Sequence, residues 1–163
     1  MIRLTAVLAL LAAPVMAQDL QYTDRGTQTC LEAAESYGAK IDCAGASAEQ
    51  CMEDTPGGHS TIGMGGCLDR ELSYWDGLLN SHYTAAMAQA KNLDADRPAA
   101  MMDLPGAAIA LRDMQRAWIP FRDKACAYEA SLWAGGTGQG PATLSCLVQQ
   151  TARQALTLEP WGR

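Results

Sequence analysis

The spacing of apolar residues predicts three amphipathic helices in the part of the chain that follows residue 66. In the first helix, over about 67–92, apolar residues recur at spacings of four and three: Leu68, Leu72, Trp75, Leu79 and Tyr83. A second helix, over about 106–133, continues this alternation through seven positions: Leu111, Met114, Trp118, Phe121, Ala125, Tyr128 and Leu132. A third helix, over about 142–158, has a weaker stripe: Leu144, Val148, Thr151, Ala155 and Leu158.

These helices predict an all-α fold. The seven positions of the second helix predict one buried seam. The glycine-rich segment 134–141 ends that helix and forms a turn. Three helices with short connections, each apolar on one side, are expected to pack as a small antiparallel three-helix bundle.

The residues before this bundle show no long apolar stripe. Two segments, 28–43 and 45–53, could each form a short helix. The segment 54–66, with five glycines and one proline, is predicted to be a loop. Residues 18–50 are therefore expected to form a loop-rich N-terminal extension of the bundle.

Pro120 lies inside the predicted second helix. A proline there costs about 3 kcal/mol, because it lacks an N–H and crowds the carbonyl four residues earlier. The apolar stripe nevertheless keeps its phase from Trp118 to Phe121. We therefore expect a kinked but continuous helix, or two helices meeting end to end with Pro120 in the first turn of the second. We favour a tolerated bend on the solvent side over a hinge that shapes a groove.

The first 17 residues are typical of a secretory signal peptide. Arg3 precedes an apolar run from Leu4 to Ala13, and the small residues Val15 and Ala17 suit a cleavage site after Ala17. The run is too short to span a bilayer stably. We expect a periplasmic or secreted protein with no membrane span in its mature form, a helical domain at 51–158 and a C-terminal tail at 159–163.

Six cysteines in an exported chain predict a disulfide framework. Cys126 and Cys146 flank the turn between the second and third helices, so they can come within disulfide range. Cys51 and Cys67 flank the glycine-rich loop and are paired next, which leaves Cys30 with Cys43. Zinc is disfavoured because no cysteine pair has CxxC spacing and both histidines are isolated.

The acidic charge of the chain restricts its partners. The signal peptide carries only Arg3, so its removal takes the formal net charge from −6 to −7. This acidity argues against nucleic acid and is compatible with a basic protein, whose approach the opposite charge would speed.

No set of residues in the sequence assembles a catalytic site, so we expect no enzymatic activity and no cofactor. The stretch "GHSTI", 58–62, begins like a nucleophile elbow but lacks its second glycine. The carboxylates Asp69, Glu71 and Asp76 are spread around the first helix and are interpreted as solvated charge. Gln115, Arg122 and Glu129, seven residues apart, are interpreted as bracing side chains on one flank of the seam.

Four segments occur together in an order that resembles a known family. They are "CLDRELSYWDGLLNSHY" at 67–83, "LRDMQRAWIPFRDKAC" at 111–126, "GG" at 135–136, and Cys146 followed by "TARQAL" at 151–156. The chain is similar over about 51–158 to the LprI-like lysozyme inhibitor N-terminal domain family. Besides Cys67, Cys126, Cys146 and Leu79, the matching residues are Asp76, Asn80, Tyr83, Gln115, Trp118, Arg122, Asp123, Thr151 and Arg153.

The resemblance implies a small exported bacterial helical domain and, for at least the namesake, lysozyme binding. It brings no catalytic residues, and the matching residues are interpreted as scaffold. The expected function is non-enzymatic binding, with lysozyme inhibition by protein–protein contact as the leading activity. The alternative is an envelope-associated structural or peptidoglycan-binding protein without inhibitory activity.

The predicted contact surfaces are the loops 54–66 and 134–141, because loops on a cross-linked scaffold can enter a cleft at little entropic cost. The expected partner is a basic lysozyme or another envelope protein. The candidate contact residues in or beside these loops are His59, Ser60, Thr61, Met64, Trp133, Thr137 and Gln139.

Overall fold

The computed structural model describes residues 19–98 and 104–160. The predicted signal peptide lies outside these residues, as does the end of the predicted tail. The regular secondary structure of the described residues is entirely helical, in six α-helices: α1 Arg25–Ala33, α2 Tyr37–Asp42, α3 Ala46–Asp54, α4 Thr61–Ala95, α5 Ala107–Ser131 and α6 Gln139–Thr157. The predicted all-α fold is confirmed. No described helix is long and apolar enough to cross a membrane.

The three long helices α4, α5 and α6 form the predicted bundle, and each contacts the other two. Helix α5 runs antiparallel to α6. A disulfide joins Cys126 near the end of α5 to Cys146 near the start of α6, and a hydrogen bond joins Gln115 near the start of α5 to Gln154 near the end of α6. The core between the helices contains buried residues mainly from α4 and α6: Cys67, Leu68, Trp75, Leu79, Val148, Ala152, Ala155 and Leu156. The bundle therefore supplies a rigid frame for the loops at its ends.

The predicted seam of α5 is wrong in part. Met114, Phe121, Tyr128 and Leu132 are exposed, and the last three keep 60–64% of their surface in contact with solvent. The flank that turns inward keeps Leu111 and Trp118 of the predicted seam and adds Gln115 and Arg122, and all four are partly buried. This flank faces the bundle because its polar members find partners there, as the Gln115–Gln154 hydrogen bond of 2.8 Å illustrates.

Pro120 lies within α5, which continues through it without a break. The alternative of two helices meeting end to end is therefore wrong, while the bend stays a prediction. Pro120 is exposed, so the missing backbone hydrogen bond lies on the side where water can satisfy the freed carbonyl of Arg116.

The interpretation of Glu71 as solvated charge is wrong, because this side chain is fully buried. Its Oε1 accepts hydrogen bonds from the hydroxyl of Thr27 at 2.8 Å, the backbone N–H of Gly45 at 2.8 Å and the indole N–H of Trp75 at 3.0 Å. Its Oε2 accepts one from the backbone N–H of Ala48 at 2.6 Å. Glu71 on α4 thus caps the N-terminus of α3, which lacks a capping side chain of its own.

The N-terminal extension is more helical than predicted. Helices α1, α2 and α3 occupy most of residues 25–54, and α1 and α3 are joined by reciprocal hydrogen bonds between Thr27 and Ser47 at 2.8 and 3.2 Å. Together with the Glu71 contacts, these bonds hold the extension against α4. Short helices of this length are marginal alone, so tertiary contacts and disulfides must stabilise them.

The predicted loop 54–66 is also wrong in part, because α4 begins at Thr61. The Ser60 hydroxyl caps the helix by accepting a hydrogen bond from the Gly63 N–H at 3.1 Å. Gly63 is glycine for a packing reason, since a Cβ there would lie 2.5 Å from the carbonyl oxygens of Gly57 and Gly58. Glycine content alone therefore does not mark a loop here.

The structure contains three disulfides, Cys30–Cys43, Cys51–Cys67 and Cys126–Cys146, the same pairs expected from the sequence. The first lies within the N-terminal extension, the second joins α3 to α4, and the third joins α5 to α6. Helices α4 and α5 are linked non-covalently: the Asp94 carboxylate accepts hydrogen bonds from the backbone N–H groups of Ala107 and Ala108 at 2.6 and 3.0 Å. These bonds hold the pKa of Asp94 below its usual range.

Candidate binding groove

A groove of about 810 Å³ lies at the end of the bundle where α3 and the start of α4 meet the turn between α5 and α6. Its apolar lining includes Met52, Met64, Leu68, Trp133 and Pro141. Polar side chains complete the lining: Thr61, Glu129, Thr137, Ser145, Gln149 and Gln150. A concave site with an apolar surface and a few polar groups is typical of the pockets in which proteins bind ligands.

One wall of the groove rests on the tight segment between α3 and α4. A Cβ on Gly58 would lie 2.2 Å from the carbonyl oxygen of Met52, so this segment packs directly on the end of α3. The Cys51–Cys67 disulfide joins the same two helices. This wall is therefore fixed by backbone contacts and by a covalent link.

The opposite wall is the turn after α5. Ala134 and Gly135 both adopt positive φ, 47° and 79°, which reverses the chain direction. The benzene half of the Trp133 indole packs on Gly138, where a Cβ would lie 2.3 Å from the ring. Trp133 nevertheless stays 51% exposed, so much of the ring remains available to a partner. The Cys126–Cys146 disulfide holds the two helices behind this turn.

Charge in the groove is confined to one carboxylate. Glu129, on the last turns of α5, is the one charged residue in the groove lining of the described chain. Its carboxylate has no hydrogen-bond or ion-pair partner among the described residues. Gln149 is oriented by a hydrogen bond of 2.8 Å from its amide N–H to the carbonyl of Ala44.

The structure brings together four of the seven candidate contact residues. Thr61, Met64, Trp133 and Thr137 line the groove from both sides. Ser60 serves as the cap of α4, and His59 and Gln139 are exposed but do not line the groove. Sequence reasoning missed Met52, Gln149 and Gln150, because these residues lie on helices and carry no local signal of a site.

The residues that carry the family resemblance gather mainly between α4 and α5. The Arg122 guanidinium lies 5.0 Å from the Trp118 ring centroid, 3.8 Å from the Asp76 carboxylate and 2.9 Å from that of Asp123. Burial raises the pKa of Asp76, an effect that Arg122 partly offsets. These contacts agree with the bracing interpretation of Arg122.

Other members of that set have different environments. Gln115 bonds Gln154, Tyr83 is partly buried, and Thr151 is buried in the core. Asn80 and Arg153 are exposed, and their side chains contact no hydrogen-bonding partner within the described residues, so nothing in the structure gives these two a scaffold role.

A second surface of interest is the exposed apolar side of α5, formed by Met114, Phe121, Tyr128 and Leu132. None of these four residues lines the groove. In the described ranges, no group of three or more histidine, cysteine or acidic side chains is placed to hold a metal ion.

Comparisons with known proteins point to one family. The family model described as "Lysozyme inhibitor LprI" matches residues 51–158, which include α4, α5, α6 and the two disulfides beside the groove. A protein of Rhodobacter capsulatus, described as "Uncharacterized 17.7 kDa protein in puhA 5'region", is 28% identical over 139 residues, covering 82% of this chain and 84% of that protein. No solved structure gives a significant match.

Proposed function

Because this chain belongs to the LprI lysozyme inhibitor family, we propose that it is an exported, non-enzymatic protein that inhibits a lysozyme by binding it through the groove. The three disulfides and the family together indicate an extracytoplasmic protein. The signal peptide predicted at 1–17, with cleavage after Ala17, would direct the chain there.

The observation that carries this proposal is the convergence of two separate segments on one groove. Thr61 and Met64 come from the start of α4, and Trp133 and Thr137 come from the turn about 70 residues later. Disulfides fix the helices on both sides, so little conformational entropy would be lost when a partner binds. The exposed tryptophan suits an anchoring contact, since aromatic residues supply much of the binding energy in protein interfaces.

The charge of the protein supports a basic partner. The mature chain is expected to carry a net charge of −7, one less than the −6 of the full sequence. Attraction to a basic lysozyme should raise the association rate and make it fall with added salt.

The test is an inhibition assay in which mature protein from Gln18 is titrated against several lysozyme types at low salt. We expect inhibition of at least one type at micromolar protein. No inhibition of any type under these conditions would refute the proposal.

Two adjacent residues provide a matched pair of variants for this assay. Thr61 lines the groove, whereas Ile62 is 79% exposed and does not line it. Thr61→Arg should weaken inhibition by about tenfold or more, the loss expected of a bulky charge in an interface. Ile62→Arg makes the same addition of charge beside the groove and should have little effect. Equal losses would mean that the groove is not the contact surface.

The alternative function, binding to peptidoglycan or another envelope component, has its own readout. Isolated cell wall would then retain the protein in a pull-down without lysozyme present. Retention on cell wall together with a lack of lysozyme binding would favour this alternative over inhibition.

A further inference from the structure

We propose that the groove is a socket for an arginine side chain presented by the partner protein. This inference rests on the proposed function only in taking a protein as the partner. The socket is formed by Glu129, Gln149 and Trp133, with Met52 and Met64 on the opposite wall. Each of these groups matches one part of an arginine: the charge, the N–H donors, the planar head and the apolar stem.

The charge of the groove selects a cation. Glu129 is the only charged residue in the lining that the structure describes, and no described side chain neutralises it. An anionic ligand would therefore meet repulsion and no compensating positive group. A cation would instead form a charge-assisted hydrogen bond with the carboxylate, the stronger class of hydrogen bond.

The polar groups of the groove favour a ligand with several donors. One N–H of the Gln149 amide donates to the carbonyl of Ala44, and the Oε1 of this amide has no donor among the described residues. Glu129 adds two further acceptor oxygens. A guanidinium presents five N–H donors in a planar fork, whereas a lysine ammonium presents three donors at one point.

The apolar groups suit the remainder of an arginine side chain. Trp133 is held from one side by Gly138 yet stays 51% exposed, and a guanidinium stacks well on an indole. The flexible side chains of Met52 and Met64 can adapt to the methylene stem. A purely apolar ligand would use these groups but would bury Glu129 and Gln149 without partners, which is costly.

The test compares blocked peptides that have one central arginine, lysine or citrulline among alanines. Citrulline keeps the shape of arginine and removes its charge. Binding to mature protein is followed by the chemical shifts of the Trp133 indole N–H and the Gly138 amide. We expect the arginine peptide to bind about tenfold more tightly than the citrulline peptide, and the lysine peptide to bind between the two. Equal affinities for arginine and citrulline, or tighter binding of lysine, would overturn the proposal.

Variants separate the socket from general charge attraction. Glu129→Gln should reduce the preference for arginine over citrulline to about twofold or less. Asp113→Asn, on the same helix but outside the groove, removes the same charge and should keep the preference. If Asp113→Asn weakens the preference as much as Glu129→Gln does, the socket assignment is wrong. Thermal unfolding of each variant checks that the fold is retained.

These peptide measurements do not require lysozyme, so the two proposals can fail separately. Arginine preference without inhibition of any lysozyme would refute the proposed function and support the socket. Inhibition that Glu129→Gln leaves unchanged, with no arginine preference, would support the proposed function and refute the socket.

Discussion

Replacing Glu71 with glutamine tests how the N-terminal extension is held to the bundle. Glu71 is fully buried, and its two oxygens accept four hydrogen bonds: from Thr27 of α1, from Gly45 and Ala48 at the start of α3, and from Trp75. In Glu71→Gln, the amide oxygen can take the place of Oε1 and keep three of these bonds. The amide N–H₂ would then face the N–H of Ala48, so that two donors oppose each other.

The magnitude follows from these contacts. A hydrogen bond to a charged group contributes about 1.5–3 kcal/mol, and a neutral one contributes about 1 kcal/mol. The substitution removes the bond to Ala48 and weakens the other three, while relieving the cost of burying a charge. We expect the free energy of unfolding to fall by about 3 kcal/mol, which corresponds to a Tm decrease of about 6–12 °C for a chain of this size.

The assay is thermal unfolding at neutral pH with the disulfides intact. The control is Glu32→Gln, which removes an exposed carboxylate from α1 and should leave the Tm almost unchanged. Hydrogen exchange at the Gly45 and Ala48 amides should accelerate in Glu71→Gln and not in the control. A Tm within about 1 °C of the parent protein would refute the reasoning, since it would mean that the charge of Glu71 contributes no net stability.

Three further substitutions test other contacts that shape the frame of the groove. Asp94→Asn should lower the Tm at pH 7. Because the pKa of Asp94 is lower in the folded state, its carboxylate stabilises the fold above pH ~4, and this stabilisation is lost as the pH falls through the folded-state pKa. The Tm difference between Asp94→Asn and the parent protein should therefore shrink at lower pH. Gly63→Ala should destabilise by about 1–3 kcal/mol in urea unfolding because its Cβ would lie 2.5 Å from backbone oxygens. Gly65→Ala, whose Cβ would meet the nearest atom at 3.9 Å, should not destabilise, and equal losses would contradict the packing explanation. Pro120→Ala should stabilise by about 1–2 kcal/mol in the same assay, since the site is exposed within a continuous helix, and a loss of stability would show that the proline is needed.

The long helices could be predicted from the sequence because their pattern is local. Spacings of three and four place Trp75, Leu79 and Val148 on buried faces, and the structure buries all three. The Cys126–Cys146 pair follows from the same information, because one short turn separates the two helices. Such features depend on residues that are close together in the chain.

The buried face of α5 could not be predicted from apolar spacing alone. Two adjacent faces of this helix both repeat with helical spacing, so the spacing does not tell which face is buried. Gln115 and Arg122 turn inward because their polar partners, Gln154 and Asp76, lie on other helices. Glu71 was misread for a related reason. Its four donors come in part from Thr27, Gly45 and Ala48, which lie 23 to 44 residues earlier in the chain.

The groove was predictable only in its two separate parts. Glycine content singled out the segments 54–66 and 134–141, but their convergence depends on how α4 packs against α6. The sequence also gave no reason to expect that Gly63 would be helical, because the close backbone contact that requires glycine appears only in three dimensions. Gln149 shows the same limit, since its orientation depends on Ala44, 105 residues away.

The most direct test of the proposed function is a hydrogen-exchange footprint of the mature protein with and without a basic lysozyme. If the groove is the contact surface, protection should concentrate at residues 57–64 and 132–142, and should diminish with added salt. Protection confined to the exposed side of α5, around Phe121 and Tyr128, would contradict the groove assignment. No protection anywhere at micromolar concentrations would contradict lysozyme binding itself.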